Sequence, residues 1–181
     1  MKLSILATVL GLAYAAFQAW GLAQPKSFTD FVQRFSRNTA IGWVLMLLGT
    51  GWFIWNIRQE QVADFAKFKP YMYAGFAAAG VMTCIYVKDF LAVRGLAVVL
   101  LLLAKLMVDT GRPALYNTKW VLLFQLWAYV LVVAGIAYTI WPWKLRDYLA
   151  WSTATPGRLR IGNILKLVFG MLIITLGVTV F

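Results

Sequence analysis

The sequence has no histidine, one cysteine and few carboxylates, and each shortage removes a class of chemistry. Imidazole is the commonest ligand of haem and of zinc or copper sites, and the commonest general base. Its absence argues against a cytochrome-like or copper-oxidase-like role and rules out an HExxH metal site. Cys84 stands alone inside an apolar run. It excludes an intrachain disulfide and CxxC redox chemistry, and reads as a small core side chain. Six Asp and Glu face seventeen Lys and Arg, a net charge of +11. A paired acid/base couple has little to draw on. No phosphate-cradling GxxxxGK[ST], no GxGxxG in a suitable setting and no GxSxG elbow is present. The expectation is therefore no catalytic residue, no cofactor, no metal and no enzyme activity. The basic residues form short clusters between apolar runs and make no single patch, which argues against a nucleic-acid partner.

What is abundant is apolar length. Hydrophobic residues make up 62% of the chain and charged residues 13%. A soluble domain is about half apolar and about a quarter charged. The excess must face something other than water. A hydrocarbon core needs roughly 20 apolar residues in helix. Six runs come near that length: residues 3–22, 40–57, 71–87, 90–108, 119–141 and 161–181. Backbone groups cannot stay unpaired in lipid, so such runs must be helical, whereas a β-barrel would show short alternating segments. The fold expected is all-α: an integral membrane bundle of six transmembrane helices in a single domain, 1–181. The first run has Lys2 and an Ala13-Tyr14-Ala15 site in the manner of a signal peptide. Its apolar region exceeds the usual length of about 7–15 residues, so it reads as a retained span. Trp20, Trp43, Trp55, Trp120, Trp141, Trp143 and Trp151 lie near the proposed ends, where indole rings prefer the headgroup level.

Asp30, Asp89 and Asp147 each precede an aromatic residue, 59 and 58 positions apart, in the first, third and fifth connections. The pattern is compatible with three hairpin repeats, 1–57, 58–110 and 111–181. Asp64-Phe65 in an even connection offers the plainer reading that Asp-aromatic pairs suit interfaces. Phe28, Phe31, Val32 and Phe35 follow 0, 3, 4, 7 spacing, and Leu145, Tyr148, Leu149 and Ser152 repeat it. Interfacial helices are expected in the first and fifth connections. The third, VKDFLAVRG, is too short for one. It reads as a tight turn with Asp89 and Arg94 at the headgroups and Gly95 opening the next span. Lys and Arg number nine in odd connections and six on the other side, which favours odd connections in the cytoplasm.

Polar groups within spans are few. Lys105 and Asp109 share a helix face, and Gln18 and Gln125 are uncharged. Converging, they would make a polar path. Otherwise the lysine snorkels, as Lys166 would, and the amides, Asn163 included, bond across helix interfaces. Small residues recur at packing intervals: Ala74, Gly75, Ala78, Ala79 and Gly80 in the third span, Gly42 with Gly49, and Gly170 with Gly177. These are expected at close helix contacts, with the third span central or at a subunit contact.

The stretch PWKLRDYLAWSTATPGRLRIGNILKLVFGMLIITLG, 142–177, resembles small two-span bacterial inner-membrane proteins of the YjeT type. Pro142, Lys144, Arg146, Leu159, Arg160, Gly162 and Gly170 match that family's basic linker, Leu-Arg pair before Gly, and Gly-containing span. The linker here is longer. The resemblance implies a bacterial inner membrane and carries no activity with it. The reading that results is a structural, accessory or assembly subunit, with membrane lipids and other membrane protein subunits or further copies of itself as partners. A small solute or ion transporter is the alternative, and a lipid-modifying enzyme the third.

Overall fold

The computed structural model describes residues 2–59 and 67–181, and Asp64-Phe65 lies outside them. Among these residues there is no strand. The α-helices are α1 (Leu3–Ala23), α2 (Pro25–Phe35), α3 (Thr39–Gln59), α4 (Lys69–Tyr86), α5 (Leu91–Gly111), α6 (Val121–Ile140), α7 (Trp143–Thr153) and α8 (Pro156–Thr179), with a 3-10 turn at Arg112–Tyr116. Among the described residues, five helical stretches are long and apolar enough to cross a membrane: α1, α3, Leu91–Tyr116, α6 and α8. α4 is not one of them. Its 18 residues begin with Lys69 and Pro70 and hold three tyrosines, which dilute its apolar content. The expectation of six spans thus meets five helices of clear spanning character and one shorter, more polar helix.

Helix ends follow local chemistry. α8 begins at Pro156, five residues before the apolar run, because Thr155 caps it: its side-chain oxygen accepts the Arg158 N–H at 3.3 Å. Proline at the first helical position fits where no N–H is needed. Asn38 caps α3 in the same way, accepting from Ile41 N–H at 3.1 Å. Between α4 and α5 the chain turns at Phe90, whose φ is 55°. α5 starts at Leu91, so Arg94, expected at the turn, lies within the helix, and Gly95, expected to open the span, lies four residues into it.

The contacts define two compact units. The first comprises Met1–Arg34, Leu103–Val132 and Arg146–Phe181. Here α1 and α8 pack antiparallel along their length. A Cβ at Gly11 would stand 2.8 Å from Ile174 Cγ1, one at Gly170 would stand 3.1 Å from Ala15 Cβ, and one at Gly177 would stand 2.6 Å from Thr8 Oγ1. The chain's two ends share one side of this unit. Leu3, Leu6 and Ala7 of α1 join Ala104, Met107, Val121, Phe124, Ala128 and Ile173 in one buried cluster, with Phe181 packed against it.

The second unit comprises Phe35–Leu102 and Val133–Leu145. α3 and α4 form an antiparallel pair: Gly80 lies against Thr50, and the rings of Phe53 and Phe76 meet at 4.8 Å. α3 and α5 run parallel. Cβ atoms at Gly42 and Gly95 would stand 2.7 and 2.8 Å from the backbone nitrogens of Ala92 and Met46. Gly49 faces Val98, and Gly135 of α6 faces Leu101. Cys84 is buried with Met46 and Leu91.

Outward faces are strongly apolar: Val133 is 68% exposed, Leu165 65% and Val44 64%. A soluble monomer rarely exposes contiguous apolar patches beyond a few hundred Å². These faces agree with a multi-pass membrane protein.

Backbone contacts cannot give way to a methyl group. Gly42→Ala and Gly95→Ala are therefore expected to destabilise the fold by about 1–3 kcal/mol each. Gly75, with nothing within 4 Å of its Cβ position, tolerates the same change without loss. Thermal unfolding of the detergent-solubilised protein measures the difference; equal melting temperatures for all three variants would contradict the packing.

Candidate functional site

Two buried amides of the first unit, Gln18 and Asn163, lie where α1 ends and α8 begins. Gln18 and Asn163 are both 3% exposed. Gln18 Oε1 and Asn163 Nδ2 have no hydrogen-bond partner in this structure. Most buried polar side-chain atoms are paired, so two orphans on one helix seam call for a physical reason. Asn163 reaches this depth because Gly21 makes room: its Nδ2 occupies the position a Cβ at residue 21 would need. Gly21 is one turn beyond Gln18, and residues three apart share a helix face.

Two short helices cover this end. α2 turns Phe28 and Val32 inward against Leu159, with Trp20 and Leu149 packed alongside. Trp20 meets Phe28 and Phe31 at centroid distances of 5.4 and 5.5 Å. The stripe expected on α2 is only half inward: Phe31 is 39% exposed. Gln33 Nε2 of α2 donates to Thr153 Oγ1 of α7 at 3.2 Å. α7 folds back on α8, where the Arg158 guanidinium lies 5.3 Å from the Trp151 ring and Lys166 Nζ lies 5.6 Å from that of Tyr148. Of the stripe expected on α7, Leu145 is buried, Leu149 and Ser152 half-buried, and Tyr148 exposed. Arg146 holds Asp147 through two hydrogen bonds at 2.7 and 2.9 Å. Asp30 is exposed on α2, and Asp89 is exposed in the turn before α5. Arg94 keeps its Nε buried and unpartnered inside α5.

The other polar residues sit elsewhere. Lys105 and Asp109 form an i,i+4 pair at 2.7 Å, each about half exposed. Gln125 is buried against Gly111, where α5 ends and α6 begins. That region packs on the Leu3 end of α1, whereas Gln18 lies about 18 Å further along α1 than Leu6 at 1.5 Å per residue. Gln18 and Gln125 thus occupy opposite ends of the unit. Sequence reasoning placed Gln18 and Asn163 separately but not their common seam. Gly21, whose missing side chain admits Asn163, carries no signal of its own beyond being a glycine beside Trp20.

Of the packing residues, Gly170 and Gly177 lie on the α1–α8 seam, Gly42 and Gly49 on the α3–α5 seam, and Gly80 against α3. Ala74, Gly75, Ala78 and Ala79 are exposed. α4 is therefore not enclosed by the helices of its own unit. Among the described residues no group of three or more Cys, Asp or Glu side chains is placed to hold a metal ion. At the seam, one amide acceptor and one amide donor offer hydrogen-bond recognition of a small polar group.

A buried amide atom without a partner costs about 1–3 kcal/mol. Gln18→Met and Asn163→Leu should therefore raise the melting temperature of the purified protein. A lowered one would show that both amides are satisfied by something bound there. Comparison of the chain with protein-family models, with curated proteins and with solved structures gives no match.

Proposed function

We propose that the chain is a six-span membrane protein acting as a structural, accessory or assembly subunit of a larger membrane complex. The observation that carries this reading is the open face of α4. Within α4, Gly80 and Cys84 are buried, while Ala74, Gly75, Ala78 and Ala79 face outward. In a membrane, small residues promote association because they let helix backbones approach closely. A second chain, of another protein or of this one, is the natural occupant.

Six crossings rest on parity. α1 and α8 are antiparallel, so the chain begins and ends on one side. An even number of crossings fits that arrangement, and five helices are long and apolar enough to cross. α4 supplies the sixth: 18 residues reach about 27 Å, close to the roughly 30 Å hydrocarbon thickness. The basic residues around α2 and α7 favour the cytoplasm for that end, and the resemblance of 142–177 favours a bacterial inner membrane. A transporter reading draws on Gln18, Gln125, Lys105 and Asp109. It lacks the convergence it needs, because Gln125 occupies the other end of the unit.

Two outcomes are expected. Reporters fused to the two termini should report the same compartment, and opposite compartments would remove α4 as a span. The tagged protein should co-purify in mild detergent with another membrane chain or as an oligomer, and Gly75→Leu with Ala78→Leu should abolish that association while leaving the monomer's melting temperature unchanged. A partner-free, monodisperse monomer would overturn the accessory role.

A further inference from the structure

The end of the first unit formed by α2, α7 and the start of α8 carries charge that the fold does not neutralise. Lys26 and Arg34 on α2 and Arg158 and Arg160 on α8 are all exposed. Among the described residues none of the four makes an ion pair. Asp147 is occupied by Arg146 at 2.7 Å, which leaves Asp30 as the one unpaired carboxylate on these elements. The cations belong to one surface because their elements are joined: α2 to α7 by Gln33–Thr153, and α2 and α7 to α8 through Phe28, Val32 and Leu149 around Leu159. Aromatic rings are interleaved with them. Phe31 is 39% exposed and Trp151 59%, and Arg158 lies over the Trp151 ring.

We infer that this surface binds the phosphates of anionic phospholipid headgroups. The inference rests on the membrane reading above and deepens it. Charge complementarity selects the occupant. Several exposed cations without carboxylate partners attract negative charge, and the adjoining ends of α1 and α8 put them where spans leave the lipid. Exposed Phe and Trp beside Lys and Arg are what a helix lying in the headgroup layer presents, the rings entering the acyl boundary and the cations meeting phosphate. Each basic residue near an anionic surface strengthens such an attraction about fivefold, within a Debye length.

The test uses the full chain in nanodiscs containing spin-labelled phosphatidylglycerol or phosphatidylcholine. Wild-type protein should bind the anionic lipid several-fold more strongly, with the preference shrinking as salt rises. The combined variant Lys26→Gln, Arg34→Gln, Arg158→Gln and Arg160→Gln should bring the ratio near one. A control variant, Arg112→Gln with Lys119→Gln, removes charge between α5 and α6 and should keep the preference. Melting temperatures in phosphatidylcholine discs show whether each variant is folded. No preference in the wild type would overturn the proposal, as would equal loss in both variants, which would assign the effect to net charge alone. An unchanged ratio in the folded four-site variant would also overturn it and leave an acidic protein segment as the occupant. None of these outcomes depends on co-purification, so the lipid site and the accessory role fail separately.

Discussion

Contact between helix backbones at glycine is the interaction on which this architecture depends. Between segments as apolar as these, burial provides little preference for one neighbour over another, and association relies on dispersion and shape. A glycine removes the side chain that would hold two helices apart. Gly11 and Gly170 do so on the α1–α8 seam, and Gly42 and Gly95 between α3 and α5, where the closest groups are backbone nitrogens. Glycine lowers helix stability in water by about 1 kcal/mol relative to alanine. At these positions the many weak contacts of a tight seam offset that cost.

The α1–α8 seam also positions the polar end of the first unit. Because these two helices run antiparallel in close register, the end of α1 and the start of α8 meet. The connections leaving them, α2 and α7, are thereby brought within hydrogen-bonding distance. The same closeness buries Gln18 and Asn163. Gly21 lets the Asn163 amide in, and the Phe28 ring that also lies against Gly21 is apolar. A seam selected for packing alone would place apolar side chains there. Buried amide atoms without partners are the exception in native structures, which sets this seam apart from the others.

Much of this was legible in the sequence, because lipid-length apolar runs leave the backbone few alternatives to helix. α1, α3 and α6 agree with their runs to within about two residues. The failures have local causes. α8 starts earlier than its run because Thr155 and Pro156 make a strong helix start, and the arginines that follow had read as connection. Arg94 lies in α5 because Phe90 accepts a positive φ and completes the turn sooner. The site itself was less legible. Gln18 and Asn163 are far apart in sequence, and their shared seam is a product of helix register, which composition does not encode. Small-residue spacing likewise could not separate Gly80, which meets Thr50, from Gly75, which meets nothing.

The outward faces of the helices differ in chemistry, and the difference bears on what covers them. α6 shows Leu122, Leu126, Val130 and Val133, and α8 shows Ile161, Leu165 and Val168, each more than half exposed. Large branched side chains maximise apolar contact with fluid acyl chains and need no fixed partner. α4 shows Ala74, Gly75, Ala78 and Ala79 over its middle turns, between exposed Tyr71 on one side and exposed Met82, Ile85 and Tyr86 on the other. Those middle turns give lipid little area per residue, and another helix backbone can approach them closely. A helix with lysine, proline and three tyrosines gains less from hydrocarbon than its neighbours do. Its small-residue face gains most from a rigid surface of complementary shape, because a close backbone contact replaces the dispersion that bulky side chains would otherwise provide. By that comparison, the exposed faces of α6 and α8 suit fluid acyl chains, and the middle turns of α4 suit a close helix contact.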